Sequence, residues 1–175
     1  RCFYALSQNR ADSKRYPAID TLDSYSKYLE YPEFISFAKE KLDENWVELV
    51  NEARNILVRG KETEEQINIL GDDSVPIDYH VTLWKSEFVD FVILQQDAFD
   101  KIDATTSLER QEFMLKKVIG VTRSEFRFEN FEEVAIYFKR LINAFRQMNY
   151  TIFKSEEFKK AEEEANMVLE ERLIK

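Results

Sequence analysis

Turn-forming residues are scarce in this chain, which has only three glycines and three prolines among its 175 residues. A protein made of many short strands needs frequent tight turns, and glycine and proline supply most of them. The sequence therefore favours long helices over a sheet with many hairpins. Apolar residues recur at the three- and four-residue spacing of core-facing helices, which supports this interpretation.

Apolar spacing and capping signals together predict about six helices. Gly71 is suited to ending one helix and Ser74 to capping the next. Thr106 and Asn130 each begin a capping box, and Ser155 precedes two glutamates that suit a helix N-terminus. The predicted helices span residues 32–59, 62–70, 74–94, 107–119, 130–150 and 156–173. A break of the first helix near Asp43 is left open as an alternative.

Two further glycines and the N-terminal residues complete the predicted fold. Gly60 and Gly120 each follow an apolar stripe, and both are interpreted as helix ends. Residues 1–32 show no clear period and are predicted to be irregular. No alternation is strong enough to build a sheet, so the predicted fold class is all-α, a helical bundle followed by a C-terminal helical hairpin.

Charge and composition exclude several kinds of function. The net charge of −9 argues against nucleic acid and against an anionic lipid surface, because both partners require a basic face. Cys2 is the only cysteine and His80 the only histidine. An internal disulfide, a cysteine-based zinc site and a histidine-rich metal site are therefore excluded.

No complete catalytic constellation is present in the sequence. A phosphate loop, a Gly-x-Ser-x-Gly elbow and zinc-ligand spacing are all missing. Asp97, Asp100 and Asp103 recur every three residues, but the glycine and the terminal glutamate of a calcium loop are missing. We therefore predict no catalytic residue and no metal ligand within this chain.

One stretch, residues 69–100, organises the rest of the chain. An acidic turn precedes a helical run of about 20 residues, which spans roughly 30 Å at 1.5 Å rise per residue. A polar turn with a single aromatic residue, Phe99, follows this helix. A rod of that length can link two places across a small domain.

Four stretches in residues 1–121 resemble the C-terminal part of the catalytic A subunit of V-type and archaeal-type rotary ATPases. In chain order they are Phe3-Tyr4-Ala5-Leu6 with Arg15-Tyr16-Pro17-Ala18-Ile19-Asp20 and Ser24-Tyr25-Ser26-Lys27-Tyr28; Ile67-Asn68-Ile69-Leu70-Gly71-Asp72-Asp73; Gln95-Gln96-Asp97-Ala98-Phe99-Asp100-Lys101-Ile102-Asp103; and Thr106-Ser107-Leu108-Glu109-Arg110-Gln111. Their order and spacing make the resemblance specific. Asp97 replaces a usual asparagine, Thr21 a tryptophan and Thr106 a cysteine, and the first change puts one polar contact near the nucleotide in doubt.

The resemblance implies a domain organisation. Residues 1–31 correspond to the segment leaving a nucleotide-binding domain, residues 32–121 to the helical coupling domain, and residues 122–175 to an additional helical hairpin. The family's phosphate loop, catalytic glutamate and magnesium site lie in the preceding domain. Because the chain begins with arginine, it is expected to be a fragment. Because it lacks the phosphate loop, it is expected to be inactive alone and to bind no cofactor. The whole subunit is expected to be an ion-translocating ATPase that binds ATP or ADP with magnesium.

The resemblance also implies two contact regions, one at each end of the long helix. Phe99 is expected to pack by the adenine of ATP, with Gln96 and Ala98 alongside. An acidic turn is expected to face the rotating central stalk. Its residues are Asp72, Asp73, Ser74, Val75, Pro76, Ile77 and Asp78.

The implied partners are the non-catalytic B subunit, in an alternating hexamer, and the central-stalk subunit. The implied location is cytoplasmic, peripheral to a membrane that the chain reaches only through the assembled complex. Two alternatives stay open: an independent all-α interaction module, and the equivalent domain of the B subunit. Neither proton nor sodium coupling, nor the direction of operation, follows from the sequence. A stator contact and an A–B contact are equally compatible with residues 122–175.

Overall fold

The computed structural model describes residues 1–174, which form a helical bundle with a small sheet near the N-terminus. The elements are β1 (Cys2–Leu6), α1 (Gln8–Asp12), β2 (Ile19–Ser26), α2 (Pro32–Lys41), α3 (Trp46–Leu70), α4 (Ile77–Val89) with a π-helical continuation (Asp90–Leu94), α5 (Leu108–Arg123), α6 (Phe131–Asn149) and α7 (Glu156–Glu170). The all-α prediction is confirmed, since seven α-helices accompany one two-stranded sheet in the described residues. None of these helices is long and apolar enough to cross a membrane.

The N-terminal residues form an antiparallel hairpin, so the prediction of an irregular segment was wrong. Cys2 pairs with Ser26 and Leu6 with Ile19, with a register shift between the two pairs. A shift of this kind interrupts the alternation of side chains between the two faces of a strand. Most residues of β1 are also exposed, so no apolar period marks the strand in the sequence.

Helix α3 continues through Gly60, so the predicted helix end at this glycine was wrong. A Cβ atom at Gly60 would lie 2.1 Å from both Cβ and Oγ of Ser86, which belongs to α4. Glycine stands here because the two helices approach closely. The predicted helix end at Gly120 was also wrong, because this residue lies inside α5. The alternative of a break near Asp43 is confirmed, because residues 42–45 separate α2 from α3.

Side-chain caps begin three of the long helices. Asn130, Ser155 and Ser107 each accept a hydrogen bond from the backbone amide three residues further on. The predictions for Asn130 and Ser155 are confirmed, whereas the predicted cap at Thr106 was one residue too early. Ser74 lies in a short 3₁₀ turn before α4, which begins without a side-chain cap.

The main core is shared by α4, α5, α6 and α7, and α6 contributes the most side chains to it. The buried residues of this core are Phe88, Val89, Val92, Met114, Val118, Val121, Val134, Tyr137, Phe138, Leu141, Ile142, Phe145, Met148, Phe158, Ala161 and Ala165. A smaller cluster joins α3 to α5 through Leu49, Leu115 and Ile119. Helices α6 and α7 therefore pack into the same core as α4 and α5. The domain boundaries after residues 31 and 121 stay predictions.

Candidate functional site

Three aspartates shape the loop that follows α4. The Asp97 Oδ1 atom accepts from the amide of Phe99 at 2.9 Å, and Asp100 Oδ1 accepts from the amides of Ile102 and Asp103 at 2.9 and 2.8 Å. Asp103 Oδ2 accepts from the amide of Asp97 at 2.6 Å. These carboxylates therefore hold the backbone of the loop. The described residues contain no cluster of three or more side chains suited to holding a metal ion.

Phe99 stands at the tip of this loop with 98% of its surface exposed. It is therefore not a core aromatic of this chain, and its neighbour Ala98 is also exposed. Gln96 is held against the chain by two hydrogen bonds. Its backbone amide donates to the carbonyl of Tyr16 at 2.9 Å, and its side-chain Nε2 donates to the carbonyl of Asp103 at 3.2 Å. The structure thus presents two of the three predicted nucleotide-contact residues to solvent and uses the third to anchor the loop.

Asp103 and Arg110 are the buried charges beneath the loop. Burial raises the pKa of Asp103, although the hydrogen bond from the Asp97 amide and the charge of Arg110 oppose this rise. Burial lowers the pKa of Arg110, against the charges of nearby aspartates. The Arg110 guanidinium donates to the carbonyl of Met148 at 2.7 Å, so the start of α5 is tied to the end of α6.

Asp103→Asn is expected to raise the melting temperature at neutral pH, because the amide removes an ionised group from a buried position while its oxygen can still accept from Asp97. The folded-state pKa of Asp103 is raised. Folding therefore favours the protonated, neutral form of Asp103. The stability that this form contributes is complete below the unfolded-state pKa and is lost as pH rises through the folded-state pKa, where the carboxylate ionises. The advantage of the variant should shrink as pH falls toward about 4.

Thermal unfolding followed by circular dichroism at several pH values measures this difference. Asp73→Asn is the matched control, since it makes the same charge change in an exposed turn. A lower melting temperature for Asp103→Asn at neutral pH would contradict the assignment of a destabilising buried carboxylate.

An arginine clamp holds the end of α4. It comprises Arg10, Arg15, Glu87 and Asp90. Arg10 pairs with Asp90 at 2.5 Å, and Arg15 bridges Asp90 at 2.9 Å and Glu87 at 2.6 Å. The Arg15 guanidinium also lies 4.5 Å from the ring centroid of Phe91. Burial lowers the pKa of Arg15, but hydrogen bonds and charges of Glu87 and Asp90 outweigh burial and raise it above the usual arginine value.

This clamp was not predicted from the sequence. One signal was available, because Asp90 interrupts the apolar run Phe88-Val89-Asp90-Phe91-Val92. A carboxylate on a core-facing stretch almost always has a buried partner. The partner could not be named from the sequence, since 72 to 80 residues separate the paired side chains.

The acidic turn lies at the opposite end of α4. Gly71, with φ of 87°, ends α3, and the 3₁₀ turn Asp72–Ser74 follows with all three residues exposed. His80 supports the turn from below: its Nε2 lies 3.1 Å from the Asp72 carbonyl oxygen, and its ring stacks on Phe131 with centroids 4.9 Å apart. The turn and the loop that carries Phe99 are thus joined by the single helical run of residues 77–94.

Comparison with known proteins gives the family. Residues 36–134, more than half of the chain, match the family described as the C-terminal domain of V and A type ATP synthase. The chain belongs to this family. The resemblance inferred from the four sequence stretches is therefore confirmed.

The chain is similar to V-type ATP synthase alpha chains from several bacteria. It is 36% identical to that of Borrelia duttonii over 160 residues, which cover 91% of this chain and 26% of that protein. Identity is 32% with the alpha chain of Protochlamydia amoebophila, with 97% and 28% covered, and 34% with that of Treponema denticola, with 92% and 25% covered. The chain thus spans about a quarter of the length of these relatives, and the family match corresponds to their C-terminal domain.

Proposed function

We propose that this chain is the coupling domain of the catalytic A subunit, or alpha chain, of a V-type ATP synthase. In the whole subunit, α4 links ATP hydrolysis or synthesis in the preceding domain to rotation of the central stalk, and so to transport of protons or sodium ions. One observation carries the proposal: Phe99 is 98% exposed at one end of this helix, while the exposed acidic turn lies at the other.

The nucleotide end offers an aromatic face without a phosphate or metal site. An adenine ring on Phe99 would gain apolar burial and stacking. Asp97 supplies the carboxylate oxygen that holds the Phe99 amide, and the side-chain oxygen of an asparagine could accept the same bond. The loop aspartates are occupied by backbone amides. We therefore place magnesium, the phosphates and the catalytic groups in the preceding domain, and expect the isolated chain to be inactive.

The stalk end offers exposed carboxylates on a rigid turn. The side chains of Asp72, Asp73 and Asp78 face solvent, and the backbone of the turn is held by Gly71 and His80. Opposite charges across an interface accelerate association and align the partners. We therefore expect the contacting face of the central stalk to be basic.

The remaining partners and the location follow from the same proposal. The domain would sit in a hexamer that alternates catalytic A and non-catalytic B subunits. It would be cytoplasmic and would reach the membrane only through the assembled complex. The matched relatives are alpha chains, which favours the A subunit over the B subunit.

Phe99→Ala in the complete ATPase is expected to raise the apparent KM for ATP about tenfold, because base stacking on an aromatic ring is worth about 1–3 kcal/mol. The stability of the domain should change little, since the side chain is 98% exposed. Steady-state ATP hydrolysis measures KM, and thermal unfolding of the isolated chain checks stability.

Phe37→Ala is the matched control, because Phe37 is an exposed phenylalanine on α2. It should leave KM unchanged. An unchanged KM in the Phe99 variant would remove the adenine contact from the proposal.

A further inference from the structure

The arginine clamp joins the N-terminal segment to the end of α4 that carries the loop with Phe99. Asp90 is at the centre, with one carboxylate oxygen bonded to Arg10 and the other to Arg15. Arg15 also makes two hydrogen bonds to Glu87, at 2.6 and 3.0 Å. Paired N–H groups on one carboxylate fix orientation as well as distance. The clamp therefore sets the direction of this segment relative to the helix.

The pair of Arg10 and Asp90 is the most buried ion pair among residues 1–174. The side chains of Asp90 and Arg10 are only 8% and 13% exposed, whereas both members of the Arg140–Glu171 pair are more than 40% exposed. Exposed pairs contribute little, but removing one member of a buried pair leaves an uncompensated charge. The clamp is therefore a firm connection.

The clamp also lies where the helix changes its geometry. Asp90 begins the π-helical turn, and its carbonyl accepts the amide of Gln95 at 2.9 Å. The next amide, that of Gln96, donates to the carbonyl of Tyr16, the residue after Arg15. Side-chain and backbone contacts from residues 10–16 thus hold both the last helical turns and the first residues of the loop.

We propose that Arg10 and Arg15 are positioning residues that make the N-terminal segment, the end of α4 and the loop with Phe99 move as one body. This inference rests on the proposed function, in which the N-terminal segment leads from the nucleotide-binding domain. Motion of that domain would reach α4 through the clamp. Because the acidic turn is at the far end of the helix, a small rotation at Asp90 would become a displacement at the stalk.

The experiment uses the complete membrane-bound complex in sealed vesicles and measures ion transport and ATP hydrolysis together. Arg15→Ala is expected to lower the number of ions transported per ATP by about threefold or more, as expected when a coupling contact is lost. Simple loss of folded enzyme would lower both rates in proportion and leave the ratio unchanged. Arg15→Lys should restore the ratio only in part, because lysine cannot make the paired bonds to Glu87.

Two further variants make the result decisive. Lys116→Ala also removes a cation that bridges two carboxylates, Asp43 at 2.5 Å and Glu112 at 2.6 Å. Its side chain is 43% exposed and lies outside the clamp, so the ratio should stay unchanged. Glu87→Gln weakens the clamp at the more exposed of the two carboxylates that Arg15 bridges, and it should also lower the ratio. This variant provides the test if Arg15→Ala prevents assembly.

The outcomes separate this inference from the proposed function. A normal ratio in Arg15→Ala, or in assembled Glu87→Gln, overturns the positioning role. An equal fall in Lys116→Ala overturns it too. If Phe99→Ala raises KM while the ratios in the clamp variants stay normal, only the clamp inference fails. If Phe99→Ala also leaves KM unchanged, the proposed contact between Phe99 and adenine fails as well.

Discussion

Phe138→Ala is expected to lower the free energy of unfolding by about 3–5 kcal/mol, the usual cost of removing a buried phenylalanine ring. Phe138 is fully buried on α6, where it meets Phe126 edge to face with ring centroids 5.4 Å apart. It belongs to the same cluster as Phe88 of α4. Little room for collapse exists around a ring packed on several elements, so the cavity term should be large. Chemical denaturation with urea measures the change.

Ile136→Ala is the matched control for this prediction. It lies on the same helix two residues earlier and is 63% exposed, so truncation should change the free energy of unfolding by less than about 1 kcal/mol. A comparable small loss for Phe138→Ala would contradict the placement of α6 in the shared core. The expected large loss would mean that residues after 122 stabilise the core that they share with α4.

Gly60→Ala is expected to destabilise the chain by about 2 kcal/mol or more, although alanine normally stabilises a helix interior by about 1 kcal/mol relative to glycine. The new Cβ would lie 2.1 Å from Cβ of Ser86, which is too close for any real contact. The clash involves an atom fixed to the backbone of α4, so the helices must move apart. Thermal and urea unfolding measure the loss.

Ser86→Gly should rescue Gly60→Ala. The nearest remaining atom of residue 86 would be its Cα, 3.6 Å from the new Cβ, which is ordinary van der Waals contact. A double-mutant cycle should therefore show a coupling energy of more than about 1 kcal/mol. Additive effects of the two substitutions would show that the loss at Gly60 has a cause other than the approach of α3 to α4.

Helix interiors were predictable from this sequence because their signals are local. The stripe Val134, Phe138, Leu141, Phe145 and Met148 follows the helical period, and all five side chains are buried. The caps at Asn130 and Ser155 act on amides three residues away, so their partners can also be found in the sequence. Both kinds of signal lie within one or two helical turns.

The glycines could not be interpreted locally. Gly71 ends a helix with a positive φ, whereas Gly60 lies inside one because another helix passes over it. A missing side chain has the same appearance in sequence whether it permits a turn or a close approach. The identity of the passing residue, Ser86, decides between the two, and it is 26 positions away in the chain.

The candidate site shows the same division. Sequence motifs identified the loop with Phe99 and the acidic turn, and helical spacing placed a rod between them. The local sequence determined these parts, because helix formation, capping and turns depend on neighbours a few residues apart. Tertiary structure alone decided that Phe99 is exposed, that the N-terminal segment is a hairpin, and that Arg10 and Arg15 meet Asp90. Those features depend on which distant surfaces pack together, and no local period records a contact across 75 residues.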